Sequence, residues 1–457
     1  MKKSSPIFIP YETKSREFDG KLLLITHLLN AGFENIFFGS RGATKRQAIK
    51  HENGIYIFKS LSESDIPFYK LLKEKNFTIV LLHAEGGIHY KDNRDSIIST
   101  YPQSIFKYVD FNFVFGQKIK DDIYKYIGEE IGDKTIVSGD PRFDLLKNNY
   151  RYFFDRQNKE LNLKYNDFIL VNTSFSAANP EIGKEGLLNV FMNEKTYSVG
   201  AQDKLRKKMN FFEGVLDDYL IALKECAKSF RELNFVIRPH PSESLQTYLD
   251  YFKDVQNVYV VKEGNVADWI LSSIAVIHYD CTTGLEALIA QKPVIAFVPR
   301  IDEEIVAWLP IYMSKRVEAT SVLKENIQEI LNSTFEDPLY NQKVPEFNAI
   351  MNNIGESSSS EIIVSKLLEL EIHRDTKLKV DKVNFVMMNI RSQVKSILIT
   401  LKLIEKSSSI YLKKFDSCNK KEVYEKLLKL RNIECFNFDI SIKQCGLEMI
   451  FINKNNK

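Results

Sequence analysis

The feature that most constrains the fold is an alternation of short apolar runs with helical patterns, which occurs twice along the 457 residues. In the first third of the chain, apolar runs typical of buried strands are separated by segments whose apolar residues recur at helical spacing. These runs are SPIFIPY, NIFFGS, IYIFKS, FTIVLLHAEGG, FNFVFG and KTIVSGD. Strands that alternate with helices predict a parallel, doubly wound sheet.

The alternation restarts after an interruption near residues 145–165. The later strand-like runs are FILVNTSF, NFVIRPH, NVYVVKEG, AVIHYD and PVIAFVP. We therefore predict an α/β fold with two Rossmann-like domains that face a cleft, plus a small C-terminal α+β module. The predicted boundaries are 1–147 and 148–335 for the two domains, 336–380 for a linker with a helix, and 381–457 for the basic α+β module.

The composition is that of a globular protein, with 44% hydrophobic residues and a formal charge of +3. There is no run of about 18 apolar residues that would predict a membrane-spanning helix. The first apolar run is too short for a signal peptide, so we expect a cytoplasmic protein. Five cysteines without metal-ligand spacing are typical of reduced thiols. The scattered histidines form no HExxH motif, and we expect neither a metal nor a cofactor.

The positive charge is concentrated after residue 380. From Asp381 onward, 15 Lys and Arg stand against 8 Asp and Glu, a net of +7. A basic segment of this kind is either a solvated face or a surface that favours the anionic inner face of a membrane. Residues 383–404 are amphipathic and are expected either to pack on a core or to lie on a membrane or a partner. No nucleic-acid partner is expected.

The stretch NFVIRPHPSES places a histidine at the end of a predicted buried strand. Because His240 follows the strand, its imidazole is expected to emerge at the carboxyl edge of the sheet, where Pro241 and the proline before His240 stiffen the backbone. A histidine in this position can donate to a phosphate and can carry charge near neutral pH. The alternative is a histidine that only stabilises a turn. Arg238 either adds a bidentate phosphate contact or pairs with a carboxylate in the sheet.

The stretch VIHYDCTTGLEAL has a similar organisation. Asp280 ends a strand-like run, Thr282, Thr283 and Gly284 form a tight turn, and a helix follows. Hydroxyls and N–H groups at a helix N-terminus favour an anion. The threonines can instead cap the helix, with Glu286 completing a capping box, or Glu286 can face a ribose.

Two further strand ends carry polar side chains. In FTIVLLHAEGG, Glu85 is followed by Gly86 and Gly87, and glycines let a ligand approach the backbone. A carboxylate in a closing cleft can have a raised pKa and act as a general base, or it can hydrogen-bond a turn. In NTSFSAANP, the first strand of the second domain ends on three residues with polar side chains, namely Asn172, Thr173 and Ser174.

The first strand-to-helix connection, YETKSREFDGKLL, is dense in charge. Its candidate residues are Glu12, Arg16, Glu17, Asp19 and Lys21. Asp19 fits the N-cap of the following helix. The remaining charges have two possible roles. They recognise the acceptor or donor substrate, or they form a salt-bridge network.

Together these motifs resemble those of bacterial GT-B sialyltransferases and related enzymes that use CMP-activated sugars. Such enzymes carry an acidic D/E-D/E-G motif, an HP motif and a paired Ser/Thr motif. Here Ala84-Glu85-Gly86, His240-Pro241 and Thr282-Thr283 follow in the same order. Over residues 5–335 the chain is also similar to the bacterial surface carbohydrate biosynthesis protein family, in YETKSREFDGKLLL, GDPRFD, NTSFS, RPHP and TTGLEA.

The resemblance implies a metal-independent GT-B glycosyltransferase. Its reaction would move a nonulosonic acid (sialic, legionaminic, pseudaminic or Kdo type) from CMP to a bacterial surface glycan such as capsule or lipopolysaccharide. By position, Glu85 corresponds to the catalytic base, His240 to the group that contacts the CMP phosphate, and the Thr282-Thr283 pair to the binders of donor phosphate or carboxylate. Ala84 departs from the family, which often has a second acid there, and this leaves the base and the stereochemical outcome open.

The implied partners are a nucleotide-sugar donor on the second domain and a glycan or glycolipid acceptor on the first. The predicted donor site comprises Asn172, Thr173, Ser174, Arg238, Pro241, Asp280, Thr282, Thr283, Gly284 and Glu286. The predicted acceptor site comprises Glu12, Arg16, Glu17, Asp19, Lys21, Gly86 and Gly87.

Other functions remain open. A CDP-glycerol or CDP-ribitol phosphotransferase shares the RPHP stretch and a cytidine leaving group. A UDP-sugar GT-B enzyme or epimerase, and a non-catalytic scaffold for glycan assembly, are the further alternatives. No GxGxxG, GxxxxGK[ST] or GxSxG occurs, which argues against a dinucleotide oxidoreductase, a P-loop enzyme and an α/β hydrolase.

Overall fold

The computed structural model describes residues 5–83, 94–193, 201–352, 358–369, 418–445 and 448–455. They form two compact units. The first unit contains the described residues up to Phe153 and from Asn348 onward, and the second contains the described residues from Phe154 to Phe347. The amphipathic segment 383–404 lies outside the described residues.

The strands are β1 (Ile7–Tyr11), β2 (Asn35–Ser40), β3 (Gly54–Phe58), β4 (Phe77–Leu82), β5 (Phe111–Val114), β6 (Thr135–Val137), β7 (Phe168–Asn172), β8 (Asn234–Arg238), β9 (Val258–Val260), β10 (Ala275–His278), β11 (Val294–Phe297), β12 (Lys315–Val317), β13 (Asp439–Gln444) and β14 (Met449–Asn455).

The helices of the first half are α1 (Lys14–Asn30), α2 (Arg41–Ala48), α3 (Ile66–Glu74), α4 (Arg94–Thr100), α5 (Gln103–Phe106), α6 (Gln117–Tyr126), α7 (Glu129–Asp133), α8 (Pro141–Asp144), α9 (Arg151–Tyr165), α10 (Lys184–Asn193) and α11 (Ala201–Ser229). Those of the second half are α12 (Leu245–Phe252), α13 (Val266–Ser272), α14 (Thr283–Ile289), α15 (Trp308–Met313), α16 (Thr320–Leu331), α17 (Tyr340–Ile350), α18 (Ser359–Leu368) and α19 (Lys420–Ile433). None of these described helices is both long and apolar enough to cross a bilayer.

The sheet of the first unit has the strand order β13-β14-β2-β1-β3-β4-β5-β6. Strands β1 to β6 pair in parallel, and β14 pairs antiparallel with β2. All five residues of β1 are buried. Such a continuous apolar run is expected where helices cover both faces of a parallel sheet.

The C-terminal segment adds to this sheet, whereas the sequence suggests a separate α+β module. β14 lies beside β2 with Phe451 opposite Phe37, and the two ring centres are 4.9 Å apart. α19 packs on α1, where Lys426 pairs with Asp19 across 2.6 Å. The reason is burial, because the first four residues of β14 are buried in the sheet and β14 pairs with the otherwise open edge of β2. The positive charge of Lys426 in α19 is therefore paired with an acidic residue of the same unit.

The sheet of the second unit has the order β12-β11-β10-β7-β8-β9, and all its pairs are parallel. Its main core lies between the sheet and α11, α12 and α16. The chain passes from the first unit to the second within α9, between Phe153 and Phe154. The sequence prediction of two α/β domains with parallel, Rossmann-like sheets is confirmed, and the boundary lies six residues later than 147/148 because α9 continues through the interruption in the pattern.

Candidate functional site

The carboxyl ends of β7 and β10 lie side by side where the strand order of the second sheet reverses. Read from β9 to β12, the sheet contains the third, second, first, fourth, fifth and sixth strands of this unit, so the order reverses between β7 and β10. Ligands of open α/β sheets bind at such a switch point. In register, Asn172 stands opposite both Arg238 of β8 and His278 of β10. Asn172 and Arg238, both predicted from the sequence as donor-site residues, therefore lie at one edge, beside the end of β10.

Asn172 is a buried donor at the centre of this edge. The residue is 3% exposed, and its Nδ2 has no hydrogen-bond partner within the described part of the chain. A buried polar group left unpaired costs roughly 1–3 kcal/mol, and native proteins pair most of them. The position of Asn172 therefore suits a ligand that brings an acceptor oxygen to the switch point.

His240 follows β8 by two residues and is exposed. Its Nδ1 lies 2.7 Å from Ser242 Oγ and 3.3 Å from the Ser242 backbone nitrogen. Since a backbone N–H can only donate, Nδ1 is assigned as an acceptor, and the neutral imidazole then carries its hydrogen on Nε2. Pro241, which has no N–H, lies exposed beside it. The imidazole can thus donate from Nε2 to an anionic oxygen, and it is a cation when protonated.

Arg238 has different partners from the two that the sequence suggests. Its guanidinium donates to the carbonyl oxygens of Glu263 and Gly264, both across 3.0 Å, and lies 5.3 Å from the centre of the Trp269 ring. Burial lowers the pKa of Arg238 to about 10, although nearby acids such as Asp268 oppose the shift. These contacts hold the turn between β9 and α13. They give Arg238 a supporting role at the edge, although both bonds come from Nη2 and the buried Nε has no hydrogen-bond partner among the described residues.

The turn after β10 leads directly into α14, as the sequence predicts. Thr282 occupies the N-cap position, but its side chain makes no capping hydrogen bond within the described residues. Thr283 Oγ1 lies 3.0 Å from Cys281 Sγ and donates to it. The alternative in which a threonine and Glu286 form a capping box is therefore not observed. Glu286 lies half-buried in the first turn of α14.

Gly284 allows α14 to pack directly on β10. A Cβ at this position would stand 2.3 Å from Nε2 of His278. His278 is fully buried, and its Nε2 also lies 2.8 Å from Ser314 Oγ. Burial lowers the pKa of His278 to about 3, so its ring is neutral at physiological pH. The close packing fixes the distance between the TTG turn and the strand ends.

The hydroxyls of Thr173 and Ser174 are used inside the protein. Thr173 Oγ1 donates to Glu243 across 2.8 Å, and Ser174 Oγ donates to Asp280. Asp280 also accepts from the Ala307 backbone N–H across 3.3 Å. Burial raises the pKa of both carboxyls, and the hydrogen bonds oppose this shift. These residues tie the end of β7 to the turns after β8 and β10, so they position the edge.

Glu243 is a residue of this edge that the sequence analysis does not select. It is completely buried and accepts hydrogen bonds from four donors. These are the backbone N–H groups of Phe175 and His240 and the hydroxyls of Thr173 and Tyr248. In the sequence, Glu243 is only an acidic residue three positions after His240, and an exposed acidic residue of an ordinary turn would look the same.

The first sheet reverses its strand order between β1 and β3, and the charges of YETKSREFDGKLL gather at that point. Glu17 is buried and pairs with Lys21 across 2.9 Å and with Lys59 across 3.1 Å. Glu12 pairs with Lys59 across 2.7 Å and with Arg41 across 3.1 Å. These side chains form a salt-bridge network, which is one of the two roles predicted for this stretch.

The network extends through residues that the sequence analysis does not select. Asp65 accepts from both Arg41 and Lys45, and Arg41 begins α2 directly after β2. A small depression lies beside these side chains, lined by Pro10, Glu12, Arg41, Phe58, Lys59 and Ser60. No single motif links these positions, because they follow three different strands and only the fold brings them together.

Asp19 is not an N-cap. α1 begins at Lys14 with Thr13 at the N-cap, so Asp19 lies in the second turn of the helix, where it pairs with Lys426. The helix begins earlier than predicted because the Glu17 carboxylate accepts from the backbone N–H of Thr13, across 3.4 Å, and of Glu12, across 3.3 Å. Arg16 is exposed on α1.

The candidate base Glu85 and its neighbours Gly86 and Gly87 lie outside the described residues. Within the described ranges, no group of three or more His, Cys, Asp or Glu side chains is arranged to hold a metal ion.

The two units and their edges define a class: an α/β protein with two Rossmann-like sheets, each carrying polar side chains at its switch point. In structure, the chain is similar to the wall teichoic acid polymerase TagF, with a TM-score of 0.52 and 11% identity over 80% of this chain and 89% of that chain. A His-to-Asn variant of TagF soaked with CDPG gives a TM-score of 0.50 and 12% identity over 81% of this chain and 91% of that chain. The predicted GT-B type of fold is confirmed by this similarity, which at such identities shows the fold alone.

The UDP-GlcNAc 2-epimerase from Neisseria meningitidis bound to UDP-GlcNAc is also similar, with a TM-score of 0.48 and 13% identity over 81% of this chain and 100% of that chain. No protein-family model and no curated protein matches the sequence.

Proposed function

We propose that the protein is a glycosyltransferase that uses a CMP-activated nonulosonic acid and builds a bacterial surface glycan. The observation that carries this proposal is the arrangement at the switch point of the second sheet. There Asn172, His240 and the turn of Thr282 and Thr283 follow the ends of β7, β8 and β10. An edge with an imidazole donor, a buried amide donor and a helix start suits the phosphate of a nucleotide.

The leaving group explains why these residue types are suited to the reaction. When the bond between the sugar and the CMP phosphate breaks, negative charge grows on the phosphate oxygens. A donor held in place before the reaction stabilises that charge in the transition state more than in the ground state. His240, with its hydrogen on Nε2, takes this role, and Asn172 Nδ2 and the hydroxyl of Thr282 supply further donors.

The acceptor side belongs to the first unit in this proposal. Glu12, Arg41 and Lys59 line the depression at the switch point between β1 and β3, where a glycan or glycolipid hydroxyl would be bound. Glu85, which follows β4 in the sequence, is the proposed base that removes the proton of the acceptor hydroxyl. The scheme requires no metal.

A second candidate is a CDP-glycerol or CDP-ribitol phosphotransferase. The observation in its favour is the structural similarity to TagF, a wall teichoic acid polymerase whose variant was soaked with CDPG. Both reactions release a cytidine nucleotide, so both need donors at the same edge. The nucleotide that leaves is CMP in either case, and the two reactions differ in the donor that enters, which is a CMP-sugar or a CDP-polyol.

A ligand titration tests the proposal. The purified protein is melted in the presence of CMP, CDP, UMP, UDP or GDP without added metal. A nucleotide present at 100 times its Kd stabilises the native state by about 2.7 kcal/mol, so CMP should raise the melting temperature and should do so much less in His240→Ala. Donor turnover then separates the candidates, since hydrolysis or transfer of a CMP-nonulosonate supports the first and transfer from CDP-glycerol supports the second. Stabilisation by uridine nucleotides alone, or by none of the five, contradicts both.

A further inference from the structure

We infer that Glu243 is the positioning residue of His240, and that its carboxylate holds the imidazole at the switch point of the second sheet. The inference deepens the proposed function, because it rests on the role of His240 at the leaving phosphate. Its basis is a buried carboxylate whose hydrogen bonds reach the turn after β8, the end of β7 and α12.

The two carboxylate oxygens of Glu243 have different partners. Oε1 accepts the backbone N–H of Phe175 across 2.8 Å and the backbone N–H of His240 across 3.2 Å. Oε2 accepts the hydroxyl of Thr173 across 2.8 Å and that of Tyr248 across 2.5 Å. Backbone N–H groups can only donate, whereas hydroxyls can also accept. The Oε1 position therefore requires an acceptor, and the Oε2 position tolerates a donor.

The backbone offers little alternative support for His240. The residues on either side are Pro239 and Pro241, and proline has no N–H. The N–H of His240 is thus the only backbone donor of this tripeptide, and Glu243 accepts it. In return, the backbone N–H of Glu243 donates to the His240 carbonyl across 2.8 Å. Both backbone groups of His240 are therefore bonded to one residue.

The same turn also sets the orientation of the ring. Ser242, the residue before Glu243, places its backbone N–H 3.3 Å and its Oγ 2.7 Å from Nδ1 of His240. If the carboxylate were lost, the buried N–H of Phe175 and the part-buried N–H of His240 would lose their acceptor, and the turn would rearrange to find others. The Ser242 contact, which selects the Nε2–H form of the imidazole, would change with it.

The test compares three variants of the full-length protein. Glu243→Met keeps the volume and removes both acceptors, so the turn should relax. Glu243→Gln keeps a carbonyl oxygen that accepts from the two backbone N–H groups. Its NH₂ group donates to the two hydroxyls, which can turn from donors into acceptors, so His240 should stay in place. Tyr248→Phe removes one donor from the Oε2 side and is the matched control for loss of stability alone.

Two measurements are made on each variant. With ¹⁵N-histidine labelling, the His240 signal, assigned through His240→Ala, reports the hydrogen position in the neutral ring. We expect the Nε2–H form in the native protein, in Glu243→Gln and in Tyr248→Phe, and a mixture of forms in Glu243→Met. CMP affinity should fall at least tenfold in Glu243→Met and change less than threefold in the other two.

The spectroscopic result does not depend on the proposed function, since it needs no nucleotide. If the native protein does not bind CMP but the His240 signal changes only in Glu243→Met, the positioning role stands and the proposed function does not. An unchanged His240 signal in folded Glu243→Met, or an equal change in Tyr248→Phe, overturns the inference. If Glu243→Met does not fold, the result for Glu243→Gln decides. Loss of the Nε2–H form of His240 in that variant overturns the inference, and retention of the Nε2–H form supports the inference.

Discussion

Lys59 Nζ lies 2.7 Å from Glu12 Oε2, so one ion pair joins the ends of β3 and β1 across the switch point of the first sheet. Lys59 also pairs with Glu17 in α1. Two segments that are far apart in sequence, the connection from β1 to α1 and the end of β3, are therefore held together by charge at the place where this sheet would receive a ligand. Glu17 is the most buried member of that network.

Replacement of Glu17 by Gln should remove a pH-dependent part of the stability of the first unit. Burial alone raises the pKa of Glu17, but Lys21 and Lys59 outweigh burial and lower the pKa from 4.5 to about 2. A lowered pKa stabilises the folded state fully above pH 4.5, and this contribution is lost as the pH falls toward 2. The expected difference is of order 3 kcal/mol at neutral pH.

The measurement is hydrogen exchange of α1 amides, corrected for intrinsic rates, between pH 7 and pH 3. The gap in protection between the native protein and Glu17→Gln should narrow as the pH falls. Glu52→Gln is the control, since Glu52 is exposed and pairs with Lys75 across 3.2 Å, and exposed pairs contribute little. A gap that is the same at both pH values would rule out the assigned network.

Replacement of Gly284 by Ala should destabilise the second unit by about 1–3 kcal/mol, the range for an overpacked core. The reason is the 2.3 Å approach of a Cβ to the His278 ring. Both tryptophans, Trp269 and Trp308, belong to this unit, so urea denaturation followed by their fluorescence reports it. Gly214→Ala in α11 is the control in the same unit, because a Cβ there meets only the flexible end of the Arg300 side chain. Equal stability of Gly284→Ala and native protein would refute the packing argument.

Replacement of His240 by Ala should lower the turnover number by about 10²–10³, the effect of removing one preorganised donor to a developing anion. The KM for the donor should change only a few-fold, since the interaction strengthens in the transition state. Steady-state kinetics with the donor found in the ligand screen measure both. Gln246→Ala, an exposed neighbour that bonds Asp250 across 2.7 Å, should be unaffected. Equal losses in turnover and donor affinity would argue against the leaving-group role.

Replacement of Arg238 by Met should affect stability and leave nucleotide binding to the folded protein nearly unchanged. The guanidinium supports the turn of Glu263 and Gly264, and its loss leaves the Gly264 carbonyl without this donor, whereas Trp269 Nε1 still donates to the Glu263 carbonyl. The expected cost is about 1–3 kcal/mol. Tryptophan fluorescence in urea measures the cost, and calorimetric CMP binding measures affinity, with exposed Arg231→Met as control. A tenfold loss of CMP affinity without loss of stability would restore the phosphate role.

The fold was predictable because its signal is local and repeated. Every strand that the first two thirds of the sequence suggests is present. In β1 and β7, five consecutive buried residues leave few alternatives to a covered parallel strand, whereas β6 and β9 are short and less buried. The addition of β13 and β14 to the first sheet was not predictable. Their pattern is that of an ordinary hairpin, and the choice of β2 as a partner depends on an edge that forms only in three dimensions.

The candidate site was predictable in position and less so in the roles of its residues. Strand ends reveal where Asn172, His240 and the TTG turn lie, because carboxyl ends of parallel strands share one edge. The sequence does not reveal which polar groups are already paired. Thr173 donates to Glu243, and Arg238 donates to two carbonyls. These pairings depend on the geometry of the turns, which the spacing of residues in the sequence does not indicate.

The pairing of β14 with β2 has a consequence for synthesis on the ribosome. Phe451 meets Phe37 only after more than 400 residues have been added, whereas the strands of the second unit all lie between Phe168 and Val317. The second unit can therefore complete its sheet while the first still has an open edge at β2. During that interval the apolar edge is exposed to other nascent chains, and a chain interrupted before Asp439 would keep it exposed permanently, with aggregation as the expected fate.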